Sequence, residues 1–350
     1  MPIERAVPQV FVSAVLVGAL LGCSSAPVPP APEGTGGTGT CGDPAPPVYD
    51  AAPIGWASVP GLGLEGTTGG DGGDVVEVST TQDFLLANER AEPLVIQVKG
   101  TIGEGRRLSI GSNKTIVGVG ERPTVEGSLE IEEVSNVIVR NLTVIGNNCG
   151  DAEGGDCQRG TDAVGISDGA HHVWIDHVDV SDGSDGNLDV NGAADYITIS
   201  WSKFSYSGTE RSHRYSNLIG SGDDNFEDRG KLRVTWHHCW WADNVQERMP
   251  RSRFGDVHVF NSYYSARRNS YCIRAGVETR ILAEGNYFDH VSDPFDIESA
   301  TGIIESRENQ FDGTSVSGVM SSASFTPPYA YTLDPVAGVP CTVSQGAGPH

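Results

Sequence analysis

The sequence predicts an all-β solenoid, a parallel β-helix, and three observations support this fold class. β-branched residues dominate the strand patterns, and no long stretch has helical periodicity. The 350 residues include 45 glycines, as a fold with many turns requires. Short alternating strand patterns also recur, each with a second apolar residue seven positions after its first. They are VIVRNLTV from Val137, VWIDHVDV from Val173, ITISWSKF from Ile197, LRVTWHHC from Leu232, VHVFNSYY from Val257 and ILAEGNYF from Ile281.

The spacing of these patterns indicates one coil of the solenoid per repeat. Their starts are separated by 36, 24, 35, 25 and 24 residues, a period near 24 with loops inserted in two coils. One unit is too short to bury its own apolar residues, so neighbouring coils must stack to form a continuous core. A β-sandwich, the competing fold, would need hairpin turns about every 8 to 12 residues and gives no reason for the repeated apolar pair.

The N-terminal region predicts export. The apolar run VFVSAVLVGALLGC (10–23) is too short to span a membrane and lies where an export signal lies. Because LLGC precedes Ser24 and resembles a bacterial lipobox, we interpret residues 1–22 as a lipoprotein signal peptide and Cys23 as the site of a lipid anchor. Ordinary secretion is the alternative. The expected product is an outer-membrane or cell-surface lipoprotein, or a secreted protein.

The rest of the chain divides into a tether and one domain. Residues 23–46 contain mostly proline, glycine and small polar residues, which cannot form a packed core and predict an extended linker. Residues 47–350 predict a single β-helical domain, and we expect a monomer.

The cysteines predict disulfides. Six remain after Cys23, an even set in a chain expected to be exported. The proposed pairs are Cys149 with Cys157, Cys41 with Cys341, and Cys239 with Cys272, and sequence alone leaves the connectivity open.

Four charged side chains approach a strand from the same side of the solenoid. Asp162, Asp185, Asp189 and Arg248 each lie 8 to 12 residues before the start of the strand pattern that follows. Stacked strands are about 4.8 Å apart, so Asp162 and Asp185 come from successive coils and Arg248 lies roughly 10 Å further along the axis.

The three aspartates predict a Ca2+ site. Carboxylates on one wall repel and raise each other's pKa unless a cation lies among them. Oxygen-only ligands select a hard ion, and calcium tolerates irregular geometry. The alternative is three solvated surface aspartates, because DGNLD (185–189) is too short for an EF-hand loop.

A basic cluster follows in RMPRSRF (248–254), where Arg248, Arg251 and Arg253 surround one proline in a chain of net charge −23. Arginine forks pair with carboxylates in bidentate fashion, so a carboxylate-bearing saccharide can bridge from the calcium to these arginines. The alternative is a solvated basic turn with weak surface ion pairs. The net charge argues against a nucleic acid partner.

Seven segments in one order resemble the pectate lyases of the pectate/pectin lyase superfamily, over about residues 50–315. They are SNKTIVGVG (112–120), TDAVGI (161–166), VWIDH (173–177), DGNLD (185–189), LIGSGD (218–223), RMPRSRFGDVHVFNSYY (248–264) and YCIRAG (271–276). The resemblance implies a right-handed parallel β-helix that requires calcium and cleaves polygalacturonate by β-elimination to 4,5-unsaturated oligogalacturonates.

The resemblance also implies roles for single residues. The calcium aspartates of the family match Asp162, Asp185 and Asp189. In its Arg-x-Pro-x-x-Arg motif the first arginine is the base and the second binds substrate, and these match Arg248 and Arg253. Because arginine is protonated at ordinary pH, this role of Arg248 predicts an alkaline optimum.

Two positions depart from the family pattern. The family has a substrate-binding lysine five residues before the glycine of LIGSGD, where this chain has Tyr215. Arg214 or His213 is the expected substitute, and we take Arg214 as the candidate. Gly160 stands where some members carry a further acidic ligand.

Two other functions remain open from the sequence. A pectin lyase, which acts on methyl-esterified pectin, resembles the same fold without the calcium aspartates. A non-catalytic, surface polysaccharide-binding β-helix would keep the fold alone. Arg248 and Arg253 favour a polysaccharide lyase, and the three aspartates favour a pectate lyase.

Overall fold

A computed structural model describes Cys41 and residues 49–147, 162–209, 213–316 and 324–350 of the chain. The chain divides into two units, Met1–Gly42 and Asp43–His350, and all described residues except Cys41 belong to the second.

The second unit consists almost entirely of strands. In chain order, its strands and α-helices are β1 (Asp74–Val78), α1 (Thr81–Asn88), β2 (Leu94–Ser109), β3 (Lys114–Glu132), β4 (Ser135–Ile145), β5 (Val164–Ser167), β6 (His171–Ser181), β7 (Leu188–Val190), β8 (Asp195–Ser200), β9 (Lys203–Ser205), β10 (Leu218–Ile219), β11 (Val234–His237), β12 (Trp240–Trp241), β13 (Arg251–Ser252), β14 (Asp256–Phe260), β15 (Tyr263–Tyr264), β16 (Ile273–Ala275), β17 (Arg280–Glu284), β18 (Tyr287–Asp289), β19 (Phe295–Ile297), β20 (Ile303–Arg307), β21 (Gln310–Asp312) and α2 (Val339–Gly346). Short 3-10 turns lie at Trp56–Ser58, Phe226–Asp228 and Val336–Gly338.

All pairings between these strands are parallel and define three faces. The first face stacks β8, β11, β14, β17 and β20. The second stacks β9, β12, β15, β18 and β21. The third, which we call the site face, stacks β5, β7, β10, β13, β16 and β19. The predicted parallel β-helix is confirmed, and a β-sandwich, which needs antiparallel hairpins, is excluded.

The predicted strand starts fall in register with one exception. Ile197 and Val257 both align with Val234 and not with Leu232, which began the fourth pattern. Leu232 is buried in the turn before β11 with a φ of 56°. The fourth pattern was therefore started two residues too early, because Leu232 is apolar and buried although it lies in the turn.

Stacked aromatic rings fill the corner of the core beneath the second face. Phe204, Trp241, Tyr264, Phe288 and Phe311 occupy one register position of successive coils. Neighbouring ring centroids are 5.8, 4.6, 4.3 and 5.2 Å apart. The coil spacing of about 4.8 Å places identical positions at ring-stacking distance, so the column favours one register.

The solenoid begins under α1. Thr80 caps this helix by accepting a hydrogen bond from the Asp83 backbone N–H, and Phe84 on its inner side is fully buried. At the C-terminal end of the chain, the Tyr329 hydroxyl contacts Thr235 Oγ1 and His258 Nδ1 on the first face, at 2.8 and 2.9 Å. The helix therefore covers the first coil and the C-terminal segment covers part of the first face.

The cysteines agree with the predictions only in part. Cys41 and Cys341 are each disulfide-bonded, as predicted, and their pairing with each other stays a prediction. The predicted bond between Cys239 and Cys272 is wrong, because both are free and buried. Cys239 lies between the first and second faces and Cys272 directly before the site face, whereas a disulfide needs Cα atoms about 4.4–6.8 Å apart. The predicted pair at 149 and 157 lies outside the described residues.

No helix among the described residues has the length and apolar character needed to cross a membrane.

Candidate active site

Outward-facing residues of the site face form one column in register. Glu130 of β3 pairs with Gly165 of β5, which pairs with Asp189 of β7. Further along the axis, Arg251 of β13 pairs with Arg274 of β16. The earlier coils of this face are therefore acidic, and the coils after them carry arginines.

Two of the three predicted calcium aspartates converge. A Cβ atom at Gly186 would lie 2.8 Å from both Asp162 Oδ1 and Asp189 Oδ1, so the lack of a side chain there leaves open the space that the two oxygens border. Asp162 Oδ1 is buried without a hydrogen-bond partner among the described residues. Burial, followed by the charge of Asp189, raises the pKa of Asp162, and burial raises the pKa of Asp189 to about 7. A hard cation fits this space, because it would satisfy the orphaned oxygen and offset the repulsion.

The third aspartate, Asp185, is held by His213. The His213 Nε2 atom lies 3.2 Å from Asp185 Oδ1 and 2.9 Å from the Asp185 carbonyl oxygen. The hydrogen bond from His213 is the main cause that lowers the pKa of Asp185. Asp185 therefore lies beside the other two carboxylates and is held in place by its contacts with the histidine.

A different cluster of acidic and histidine side chains has its possible metal-ligand atoms closer together than the three aspartates do. Asp289, His290 and Asp312 each offer one ligand atom, and these atoms lie within 4.8 Å of one another at the exposed ends of β18 and β21. The three predicted aspartates do not meet this spacing among the described residues. They form a more open arrangement, in which one carboxylate oxygen of Asp185 contacts His213.

Glu130 is a residue of this site that the sequence analysis did not single out. Its Oε2 atom lies 2.6 Å from the place where a Cβ of Gly165 would be, so the side chain leans over that glycine toward the next coil. Its Oε1 atom binds Ser128 Oγ at 3.0 Å and Arg107 Nε at 3.1 Å. Burial raises the pKa of Glu130, and its charge in turn helps to raise the pKa of Asp162. The alternation of SLEIE, which places Glu130 on the outer side of β3, was the available signal.

Arg248 lies in the loop before β13 with a left-handed backbone φ of 62°. Its guanidinium carbon is 4.6 Å from the centroid of the Tyr215 ring. Its Nε atom is buried without a hydrogen-bond partner among the residues that the structure describes. The positive charge of Arg248 acts to lower the pKa of all three predicted aspartates, so the structure brings the four residues together.

Arg253 and Arg251 lie on the same face in ion pairs. Arg253 is buried, with Nε donating to Asp223 and Nη1 donating to the Gly220 carbonyl at 2.9 Å. Its Nη2 atom makes no hydrogen bond to a described residue. Arg251 donates through Nη2 to Glu298 at 2.7 Å. Arg253 therefore keeps N–H donors for a further carboxylate, whereas the guanidinium of Arg251 already binds the carboxylate of Glu298.

Arg214 has two backbone partners beside the site. Its Nε donates to the Asn244 carbonyl at 2.9 Å, and its Nη1 donates to the Thr209 carbonyl at 2.8 Å. Tyr215 is the residue of this segment that contacts Arg248. The role of Arg214 in substrate binding stays a prediction.

This solenoid with its acidic and arginine-bearing face matches a family model described as pectate lyase, over residues 44–336. The chain belongs to the pectate lyase family. Among relatives, it is 33% identical to a pectate trisaccharide-lyase of Bacillus licheniformis over 322 residues, covering 86% of this chain and 87% of that protein. It is 39% identical to a pectate trisaccharide-lyase of Thermotoga maritima over 218 residues, covering 61% of this chain but only 57% of that protein.

Solved pectate lyase structures share the fold. The chain is similar to the crystal structure of a pectate lyase from Bacillus sp. N165 in complex with trigalacturonate, at a TM-score of 0.69 and 29% identity. The match covers 85% of this chain and 98% of that one. Pectate lyases are polysaccharide lyases. The charged residues of the site face are therefore the candidates for the catalytic residues of this chain.

Proposed function

We propose that this member of the pectate lyase family is a calcium-dependent enzyme that cleaves polygalacturonate by β-elimination to 4,5-unsaturated oligogalacturonates. The observation that carries the proposal is the placement of two converging carboxylates, Asp162 and Asp189, within reach of the charge of Arg248. The relatives named pectate trisaccharide-lyases and the solved complex with trigalacturonate support the substrate class.

The proposed metal ligands are Asp162, Asp185 and Asp189. Calcium held there would supply positive charge to the C6 carboxylate of a galacturonate and stabilise the carbanion-like transition state. Asp185 would offer a carboxylate oxygen to the ion beside its contact with His213. The open space at Gly186 and the orphaned Asp162 oxygen are the features that fit a cation.

The proposed chemistry rests on two arginines. Arg253 orients the substrate by donating hydrogen bonds to a carboxylate through the N–H groups that Asp223 and Gly220 leave unused. Arg248 accepts the proton from C5 of the sugar. The electron pair of that C–H bond forms the C4–C5 double bond. The C4 oxygen leaves with the electron pair of the C4–O bond and takes up a proton from solvent water, so the other half of the chain ends in a hydroxyl group. Because an arginine must first lose its own proton, we expect the rate to rise toward alkaline pH.

We further propose that the enzyme is exported as a monomer, with residues 1–22 as a lipoprotein signal peptide, residues 23–46 as a tether and residues 47–350 as the catalytic domain. The lipid anchor would be attached to Cys23. The mass of the mature N-terminal peptide distinguishes a lipidated Cys23 from ordinary secretion.

One assay tests the activity. Ultraviolet absorbance of unsaturated product is followed with polygalacturonate and with methyl-esterified pectin, each with calcium and with a chelator. We expect product from polygalacturonate with calcium, little or none with chelator, and none from the Arg248→Lys variant, which should still bind substrate.

The other outcomes identify the alternatives. Product from methyl-esterified pectin that survives chelation would identify a pectin lyase. Binding of polygalacturonate without product under any condition would identify a non-catalytic polysaccharide-binding module.

A further inference from the structure

Beyond the arginines of the site face, the outward column becomes acidic again. Arg251 of β13 pairs with Arg274 of β16, and Arg274 pairs with Asp296 of β19. Glu298 lies two residues after Asp296, directly after the end of β19. Stacked strands are about 4.8 Å apart, so these carboxylates belong to a coil about 10 Å further along the axis than Arg251. The charge of the column therefore changes from positive to negative within two coils.

The side chain of Glu298 reaches back along the axis to Arg251. Arg251 Nη2 donates to both carboxylate oxygens of Glu298, at 2.7 and 2.8 Å, and its Nε donates to Oε2 at 3.2 Å. The coil between the two residues carries Gly276, and a Cβ atom there would lie 3.5 Å from Glu298 Oε2. The carboxylate of Glu298 therefore lies over the outer surface of the site face.

Glu298 lies beside Arg253, the proposed clamp for the substrate. The same Cβ position at Gly276 is 2.9 Å from Arg253 Cγ, so the stem of Arg253 and the carboxylate of Glu298 both lie against this glycine. A carboxylate of the chain itself thus occupies the part of the cleft where the carboxylate of a galacturonate is proposed to bind.

Arg274 is also paired with a carboxylate. Its Nε donates to Asp296, and its Nη1 lies 3.9 Å from Glu298 Oε1. Its guanidinium carbon lies 3.6 Å from the centroid of the Tyr271 ring, which holds the side chain in place. Arg251, Arg274, Asp296 and Glu298, which we call the charge quartet, therefore have no net charge, and each arginine already has a carboxylate partner.

The pair of Arg251 with Glu298 is able to open. The side chain of Glu298 is 34% exposed and that of Arg251 is 17% exposed. Partly exposed ion pairs contribute little to stability, so competition from another carboxylate is sufficient to separate them. The fork of an arginine binds one carboxylate at a time in bidentate fashion. A substrate carboxylate therefore reaches the fork of Arg251 only by displacing Glu298.

We propose that Glu298 is a specificity-determining residue, which competes with the carboxylates of the substrate for Arg251. While Glu298 holds the fork, the cleft binds a galacturonate chain through the calcium and Arg253 and gains nothing from Arg251. This weakens the binding of substrate and transition state alike, and uniform binding of this kind contributes nothing to kcat. That the competing ligand is an oligogalacturonate rests on the proposed function, whereas the closed fork of Arg251 is observed.

Calorimetry with trigalacturonate and calcium tests the competition. The titrations use the full-length protein in the Arg248→Lys background, so that the ligand is not consumed. Glu298→Gln should bind trigalacturonate about tenfold more tightly, because a neutral amide no longer competes with the sugar carboxylate for the fork. Replacing Arg251 as well, by Arg251→Gln, should return the affinity to that of the background. An unchanged melting temperature checks the folding of each variant.

A matched control has the same kind of fork at a different place. Glu278 accepts two hydrogen bonds from Arg229, at 2.6 and 2.7 Å, at the turns that follow the site face. Glu278→Gln removes one negative charge and frees one arginine, as Glu298→Gln does, and should leave the affinity for trigalacturonate unchanged. An equal gain in both variants would show a general effect of charge and overturn the proposal. So would a gain in Glu298→Gln that survives Arg251→Gln, or no gain at all.

Steady-state kinetics on polygalacturonate keeps this proposal separate from the proposed function. In the otherwise wild-type protein, Glu298→Gln should lower KM about tenfold with little change in kcat, as the gain of uniform binding requires. A loss of kcat with an unchanged KM would place Glu298 in the chemistry and overturn the competition. A protein that forms no product, yet binds trigalacturonate more tightly after Glu298→Gln, would count against the lyase and support the role of Glu298.

Discussion

The ring of Tyr215 holds the side chain of Arg248. The guanidinium carbon lies 4.6 Å from the ring centroid, and the His213 ring lies 4.0 Å from the same tyrosine. His213 in turn binds Asp185. One chain of contacts therefore links a proposed metal ligand to the proposed base. A cation–π contact contributes about 0.5–2 kcal/mol, enough to fix a side chain without determining the fold.

Substitutions at Tyr215 should affect turnover more than binding. We expect Tyr215→Leu to lower kcat about tenfold with little change in KM, because the guanidinium loses the surface against which it packs. Tyr215→Phe keeps the ring and should retain most of the activity. Steady-state kinetics on polygalacturonate with calcium checks both. An equal loss of kcat in the phenylalanine variant would show that the hydroxyl, and not the ring, is what matters.

Glu130 should strengthen calcium binding at the adjacent aspartates. Its carboxylate leans over Gly165 toward the coil of Asp162, where negative charge attracts a cation. We expect Glu130→Gln to weaken calcium affinity about tenfold in a calorimetric titration without substrate. Glu132→Gln is the matched control, because Glu132 also pairs with Arg107, at 3.4 Å, but lies two residues further along β3. Equal affinities of the two variants would remove Glu130 from the site.

At the residue scale, the sequence predicted which groups meet but not how they are paired. Offsets from the strand starts brought Asp162, Asp189 and Arg248 to one face, because a solenoid converts sequence spacing into position. The same offsets gave no sign that Asp185 binds His213. Local turn geometry, which the repeat does not specify, determines the partner of a side chain in a loop. Glu130 lies seven residues before Val137, in the coil before that of Asp162, and the offsets used for the three aspartates and Arg248 did not extend to that coil.

At the scale of strands and coils, the sequence repeat predicts which residues pack inside the solenoid. The apolar pair seven residues apart, such as Val257 and Tyr264, marks two core positions at consecutive faces. Loop insertions and buried turn residues such as Leu232 do not follow the repeat. The predicted bond between Cys239 and Cys272 failed for the same reason, because coil number alone does not give the corner that a residue occupies.

The aromatic column makes a stability prediction for β18. Phe288 is fully buried between Tyr264 at 4.3 Å and Phe311 at 5.2 Å. Phe288→Ala should lower the free energy of unfolding by about 3–5 kcal/mol, because it removes buried area and leaves a cavity between two rings. The neighbouring outward residue gives the control, Tyr287→Ala, with a loss of about 1 kcal/mol or less. Denaturant unfolding followed by circular dichroism measures both, and similar losses would contradict the assigned inward and outward faces.

At the scale of the whole molecule, burial shifts the pKa values of histidines and carboxyl groups in opposite directions, with opposite effects on stability at low pH. Burial lowers the pKa of His171, His172, His237 and His258. It raises the pKa of Asp162, Asp189 and Glu130 on the site face. The histidines resist protonation in the folded state, whereas these carboxyls accept protons there more readily than in the unfolded chain. Acidification therefore destabilises the fold through the first group and stabilises it through the second.

His237 isolates the histidine contribution to acid stability. Its pKa lies well below the ordinary value of 6.5, first because it is buried and then because of the charge of His238. Below about pH 6.5 the unfolded chain binds a proton that the folded protein excludes, so this contribution to stability falls as the pH falls. His237→Asn removes the titrating group, and its melting temperature should decline less steeply than that of the wild type between about pH 7 and pH 5. His290→Asn, the same substitution at an exposed histidine, is the matched control for the change of side chain. If His237→Asn instead declines as steeply as the wild type, His237 is protonated inside the folded protein, and the buried corner between the first and second faces admits a charge.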